Sequence, residues 1–179
     1  MSRQYFGDMI TEPLGTVFTT ITATTETVLV PTIVTPIAAG SMRAGQVYEL
    51  LVGGTATTGT AGTLTITPRF GTTISGTSLG ASGAQNYVPS ITTAPFLLRC
   101  YLICVATGQA GANSSVRCHG NWSSAGAVAT ASSETAVTFG TVGAAISVDI
   151  SVASALWLGV TFSVAPSVIP EWHTWRSLN

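Results

Sequence analysis

The stretch GTLTITPRFG, from Gly62 to Gly71, alternates apolar and polar side chains with a period of two residues. The apolar positions are Leu64, Ile66, Pro68 and Phe70, and the positions between them are Thr63, Thr65, Thr67 and Arg69. This period predicts a half-buried β-strand, and the glycines at its ends mark where the strand stops. Threonine covers the polar face where lysine or glutamate would be usual, so the strand predicts a sheet with an almost uncharged outer surface.

Similar runs recur along the chain between segments rich in Gly, Pro, Asn and Ser, whereas a helical period is hard to find. The predicted strands cover residues 47–52, 63–70, 96–105, 114–122, 135–139, 146–152 and 156–164, and a last strand in the tail is interrupted by Pro170. About eight strands are enough for two packed sheets, so residues 46–179 predict an all-β, antiparallel β-sandwich domain. Pro170 is expected at a sheet edge or at the start of the tail strand rather than at a sheet centre, because proline cannot donate a hydrogen bond to a neighbouring strand.

Two hairpins follow from the spacing. Residues 47–52 and 63–70 are expected to pair through the loop GGTATTGTAG. Residues 96–105, apolar on both faces, are expected to form a central or interface strand that pairs with residues 114–122 through a turn near Ala110.

The second hairpin determines where the three cysteines lie. Its expected register sets Cys118 beside Leu102, diagonal to Cys100 and Cys104 on one face. The thiols are interpreted as small core side chains. A register slipped by one pair would instead place Cys118 opposite Cys104 and allow a cross-strand disulfide.

The first 45 residues differ from the rest, because a β-prone sequence is punctuated by Pro31 and Pro36. We expect residues 1–45 to form an extended N-terminal arm, with a strand near 27–30, that becomes an outer strand or reaches a neighbour. A free arm would expose apolar side chains that need a cover. These are Val28, Leu29, Val30, Ile33, Val34 and Ile37.

Composition narrows the possible partners. Only 7% of residues are charged, and 29 threonines and 18 serines replace them as water-facing residues. The net charge is −1, and the six basic residues are arginines spread along the chain. Nucleic acid is therefore not an expected partner, because phosphate binding needs clustered cations. The chain has neither the apolar run of a membrane-spanning helix nor the start of a signal peptide, so synthesis in the cytoplasm is expected.

The sequence contains no recognisable catalytic, cofactor-binding or metal-binding pattern. The seven carboxylates are scattered singly, and His119 lies on a predicted outward strand face. Glu171 and His173 share a predicted strand face and could serve as an acid–base pair, although no nucleophile accompanies them. We expect a protein that is not an enzyme and carries no cofactor.

Trp157 is predicted to point away from the main core. An exposed aromatic side chain on an uncharged sheet serves either as a subunit-interface anchor or as a platform for sugar rings. Leu97 and Tyr101, on the outer face of the central strand, are predicted to join Trp157 in subunit packing.

Three segments carry a resemblance to a known group of proteins. They are GTATTGTAGTLTITPRFGTTISGTSLGAS, APFLLRCYLICVATGQAGANSSVRCHGNW and SALWLGVTFSVAP. Their order, with a threonine-faced strand ending in RFG and an AP-F strand, resembles small jelly-roll proteins of tailed bacteriophages that decorate or cement the capsid or form minor head or spike components. The resemblance covers residues 27–179, and the tail PEWHTWRSLN departs from it.

The resemblance implies a jelly-roll-like sandwich and a virion structural protein that binds the major capsid protein and copies of itself as a homotrimer. Residues 28–37 would then contact the capsid or a neighbour. The alternative is a carbohydrate- or receptor-binding module of a head fibre or tail, using Trp157 or the group of Trp172, His173 and Trp175. A hydrolase built on Glu171 and His173 is the third hypothesis.

Overall fold

The computed structural model describes residues 9–11, 19–30, 36–87, 89–108, 113–124 and 137–178. These residues contain no helix and form twelve strands, so the all-β prediction is confirmed. The strands are β1 (Met9–Thr11), β2 (Thr27–Val28), β3 (Val47–Thr58), β4 (Gly62–Gly71), β5 (Thr77–Ser78), β6 (Gln85–Tyr87), β7 (Ile91–Ala106), β8 (Ser114–Ser124), β9 (Val137–Gly140), β10 (Ile146–Val148), β11 (Ala155–Phe162) and β12 (Ser167–Ser177).

The strands form two antiparallel sheets in a sandwich-like arrangement. The larger sheet has the order β1-β12-β3-β7-β8-β10, and β9 pairs with the other half of β8. The smaller sheet has the order β2-β11-β4-β5, and β6 also pairs with β4. Side chains from the inner faces of both sheets make one core, which includes Leu50, Leu98, Ile66 and Leu158.

The strand GTLTITPRFG forms as the alternation predicts. β4 runs from Gly62 to Gly71, with its four apolar side chains buried and the side chains between them half-buried. It pairs with β11, where Leu156, Leu158, Val160 and Phe162 are buried on the same inner face. The strand predicted at 156–164 therefore forms with its expected inward face, although it ends at Phe162.

The register of the β7–β8 hairpin is also confirmed. Leu102 pairs with Cys118, and β7 lies in the middle of the larger sheet between β3 and β8. All three cysteines are buried and free. Cys104 pairs with Val116, so the slipped register that would oppose Cys104 and Cys118 does not occur. The turn near Ala110 lies outside the described residues.

The predicted hairpin between residues 47–52 and 63–70 is wrong. β3 continues through GGTATT to Thr58 and pairs with β7 and β12, while β4 belongs to the other sheet. The two glycines read as a loop are strand positions that a neighbour approaches closely. A Cβ on Gly54 would lie 2.1 Å from the carbonyl oxygen of Ile169. The chain therefore crosses from one sheet to the other through residues 59–61.

The N-terminal segment contributes to the sandwich. β2 is the outer strand of the smaller sheet, paired with β11, as one of the two alternatives for this segment predicted. Ile21 bridges to Val168, and Ile37 bridges to Ser154. Leu29, Val30 and Ile37, which a free arm would expose, are buried in the core because the backbone of this segment is paired with the sheets.

Two further strand predictions need correction. β10 ends at Val148, and Val152 is exposed, although residues 146–152 were expected to alternate inward. A carboxylate oxygen of Asp149 accepts a hydrogen bond from the backbone N–H of Ser151 at 2.8 Å, which turns the chain out of the strand. The last residues of β12 do not lie at a sheet edge, because β1 pairs with residues 174–176, whereas Pro170 lies in the first half of the strand. Pro170 lies at a β-bulge in this strand.

Candidate assembly surface on the larger sheet

The outer face of the larger sheet carries most of the exposed apolar side chains of the described chain. Seven large hydrophobic residues are exposed in the described ranges, and five of them lie on or beside this one face. They are Leu97, Val105, Ile169, Trp172 and Leu178. Single exposed hydrophobic residues are ordinary, but a group on one face is typical of an interaction surface.

Trp172 and Leu97 form the centre of this apolar group. Both pair with Gly53 of β3, one from each side, so they stand in one row across the sheet. A Cβ on Gly53 would lie 2.4 Å from the indole of Trp172, which therefore covers this glycine. Trp172 remains 45% exposed and Leu97 37% exposed. The row presents flat, preorganised apolar surface, and β12 reaches it because its bulge turns Trp172 outward.

A buried carboxylate lies further along the same outer face, two rows of side chains away. The side chain of Glu49 is only 3% exposed although it stands on the outer face, between Arg99 and Arg176. Its Oε2 atom accepts a hydrogen bond from Nε of Arg176 at 2.6 Å, and its Oε1 atom lies 3.4 Å from Nε of Arg99. Because Tyr101 pairs with Glu49 on the β7 side, arginine and tyrosine side chains surround the carboxylate on this face.

Glu49 is buried whereas its two arginine partners are nearly half-exposed, so removing an arginine and removing the carboxylate should have different effects on stability. Arg176→Leu is expected to lower the free energy of unfolding by about 2 kcal/mol, because it leaves the buried Glu49 carboxylate with one long contact. Glu49→Leu is expected to cost under about 1 kcal/mol, because both arginines are nearly half-exposed and water can solvate them. Urea unfolding monitored by tryptophan fluorescence measures both, with Arg117→Leu on the same face as the matched control. An equal or larger loss for Glu49→Leu would refute this account.

The outer face of the smaller sheet is different, because its polar groups bind one another. Arg69 donates to both carboxylate oxygens of Glu26, at 2.7 and 2.8 Å, and this hydrogen bonding raises the pKa of Arg69. The carboxylate of Glu26 lies over Gly159, where a Cβ would meet its Oε1 atom at 2.2 Å. The indole N–H of Trp157 donates to the carbonyl oxygen of Gly71 at 2.9 Å. This face therefore offers a neighbour fewer exposed apolar groups.

The residues predicted for subunit packing lie on two opposite faces. Leu97 and Tyr101 are on the outer face of the larger sheet, whereas Trp157 is half-buried on the smaller sheet. One flat contact cannot use all three. Among the predicted contact residues of the N-terminal segment, Val28 is half-buried in the edge strand β2, and Leu29, Val30 and Ile37 are in the core. Ile33 and Val34 lie outside the described residues.

The predicted acid–base pair is not assembled. Glu171 is exposed and accepts a hydrogen bond from the hydroxyl of Thr55 on the outer face, at 3.2 Å. His173 is buried on the inner side, in register with Val52. The bulge between Pro170 and Trp172 breaks the alternation that had placed the two side chains on one face. His119 is exposed on the outer face of β8, as predicted.

The tryptophan group of the tail is also divided. Trp175 is buried and stacks on Tyr48, with ring centroids 5.3 Å apart. Trp122 of β8 is buried and stacks on Phe96 with ring centroids 4.1 Å apart. Of the tail tryptophans, Trp172 is the one that a sugar or a protein can reach.

No group of three or more histidine, cysteine or acidic side chains is placed to hold a metal ion in the ranges that the structure describes. Within the same ranges, no helix long and apolar enough to cross a membrane is found.

No family model, no curated protein and no solved structure matches the chain. The outer face of the larger sheet therefore carries the structural evidence for function. Sequence reasoning singled out Leu97 and Tyr101 on this face but missed the Glu49 ion pair, because nothing local to β3 indicates arginines that are 50 and 127 residues away. The sequence feature that could have indicated the position of Trp172 is Gly53, because an aromatic ring packs readily over a strand residue that has no side chain.

Proposed function

We propose that the chain is a non-enzymatic structural protein of a bacteriophage particle, a capsid decoration or cement protein that binds the major capsid protein and further copies of itself. After synthesis in the host cytoplasm it would become part of the virion. The observation that carries the proposal is the group of exposed apolar side chains on the outer face of the larger sheet. The resemblance of three segments to phage jelly-roll proteins supports it independently.

The occupant of this face is proposed to be a second copy of the chain. Exposed groups of both signs accompany the apolar row, with Arg99 and Arg117 towards one end and Glu171 towards the other. Such a face can match another copy, because the carboxylate of one chain can meet an arginine of the next. Closed rings of copies are the usual outcome of symmetric association, and a homotrimer at a capsid three-fold position fits the resemblance.

A low-charge interface makes a specific prediction about salt. Purified protein is expected to co-sediment with particles produced without its gene, and the bound fraction should change less than about twofold between roughly 50 and 500 mM NaCl, because apolar burial is hardly screened. A protein that binds DNA through phosphate contacts serves as the control, since its affinity for DNA falls by orders of magnitude over the same range of salt concentration. No co-sedimentation, or a steep loss with salt, would contradict the proposal.

A carbohydrate-binding module is the second candidate, and the exposure of Trp172 favours it. A flat indole over a glycine is a surface on which a sugar ring can stack. Glycan-array binding that is lost in Trp172→Ala, without co-sedimentation of the wild type, would favour this candidate over the first.

A further inference from the structure

Two of the three buried thiols lie close enough to react with each other. The Sγ atoms of Cys100 and Cys118 are 3.2 Å apart, and neither side chain is exposed. Cys100 pairs with Gly120 and Cys118 with Leu102, so the two cysteines are diagonal neighbours on the inner face of β7 and β8. Gly120 lies opposite Cys100, and the ring of Phe139 covers this glycine. The ring does not separate the thiols, since their sulfur atoms are in contact.

The third thiol is held apart from this pair. Cys104 lies in register with Val116, and its Sγ atom contacts the carbonyl oxygen of Ala106 at 3.8 Å. The register leaves Cys118 diagonal to both Cys100 and Cys104. The contact of 3.2 Å between Sγ of Cys100 and Sγ of Cys118 is what distinguishes the two pairings that the sequence leaves open.

We propose that Cys100 and Cys118 form an intramolecular disulfide when the protein meets an oxidising small-molecule disulfide, and remain thiols in a reducing compartment. The thiolate of one cysteine attacks the small disulfide, forms a mixed disulfide and releases one small thiol. The second cysteine thiolate attacks the protein sulfur of that mixed disulfide and releases the other small thiol. Two protein thiols lose two protons and two electrons, and the oxidant is reduced to two thiols.

Burial determines when this reaction occurs. Desolvation, followed by the hydrogen bond with Cys118, raises the pKa of the Cys100 thiol well above its ordinary value. The thiolate is therefore scarce in the closed core, and an oxidant cannot reach it there. Oxidation proceeds when β7 and β8 separate or before the core closes during folding, and the disulfide then holds the hairpin together.

The experiment uses the purified full chain and oxidised glutathione as the oxidant. The reduced protein is refolded from denaturant in a glutathione buffer, free thiols are alkylated, and the product is digested with trypsin and examined by mass spectrometry. Cleavage after Arg99 and Arg117 separates Cys100 from Cys118. Peptides 100–117 and 118–176 are expected to be joined by a disulfide within single chains. The intact oxidised protein is expected to have an unfolding midpoint raised by about 5 °C or more.

Single substitutions decide which thiol is used, because Cys104 lies on the same peptide as Cys100. Cys104→Ser is expected to keep the cross-link, and Cys100→Ser and Cys118→Ser are expected to lose it. Absence of the linked peptides in the wild type, a link only between chains, or a link that persists in Cys100→Ser would overturn the proposal. The test needs no particle, so its result is independent of the assembly function.

Discussion

Leu97→Asp is expected to weaken self-association at least about 100-fold, because it places an unpaired carboxylate in the centre of the apolar row that a second copy would bury. Leu97 stands across Gly53 from Trp172, so the charge would also lie beside the exposed indole. Sedimentation velocity over a range of protein concentrations measures the dissociation constant. Binding to particles should weaken with it, because an oligomer gains avidity from several simultaneous contacts.

Thr65→Asp is the matched control for this substitution. It introduces the same charged side chain into a half-buried strand position, but on the outer face of the smaller sheet. Its self-association is expected to stay within about twofold of the wild type, since the proposed contact does not involve that face. Equal weakening by both substitutions would show that the apolar row is not the contact. Unchanged association of Leu97→Asp would show the same.

Gly54→Val is expected to lower the free energy of unfolding by about 3 kcal/mol or more, a large share of the stability of an ordinary domain. A Cβ at this position would lie 2.1 Å from the carbonyl oxygen of Ile169 and 2.8 Å from Cα of Pro170. Both are backbone atoms of β12, so a rotamer change cannot relieve the clash. The adjacent strand would have to move, at the cost of its hydrogen bonds to β3.

Gly59→Val provides the comparison, because a Cβ there would meet no atom within 4 Å. Chemical denaturation should place this variant within about 0.5 kcal/mol of the wild type. Similar stabilities for the two valine variants would mean that β3 and β12 are not packed as closely as the structure has them.

The sequence predicted the elements whose side chains alternate without interruption. β4 and β11 formed with the expected inner faces, and the β7–β8 register was correct to the residue, with Leu102 opposite Cys118. In these strands the side-chain period sets the buried face, and in the hairpin the position of the turn sets the register.

The errors arose where backbone geometry, rather than hydrophobicity, decides the structure. Gly53 and Gly54 were predicted to lie in a loop, but they are strand residues. The indole of Trp172 covers Gly53, and the backbone of β12 packs against Gly54. β3 therefore continues to Thr58, and the chain crosses to the other sheet only after that residue. The bulge at Pro170 separates Glu171 from His173, and no alternation pattern shows a bulge in advance.

The candidate surface was only partly accessible to sequence reasoning. Leu97 and Tyr101 were found because they alternate with buried residues, and Trp157 was chosen by the same rule but lies on the opposite face of the sandwich. Pairing between strands that are distant in the sequence determines which residues share a face of the sandwich and which polar groups bind one another. Two examples are the hydrogen bond from Trp157 to Gly71 and the ion pair between Glu26 and Arg69.

Quantitative mass spectrometry of purified virus particles, combined with electron microscopy of the same preparation, tests the proposal that this chain is a structural component of the particle. The chain is expected at a fixed ratio to the major capsid protein and at a repeated position on the particle. Its absence from purified particles, in an infection where it is abundant in the lysate, would refute the proposed function.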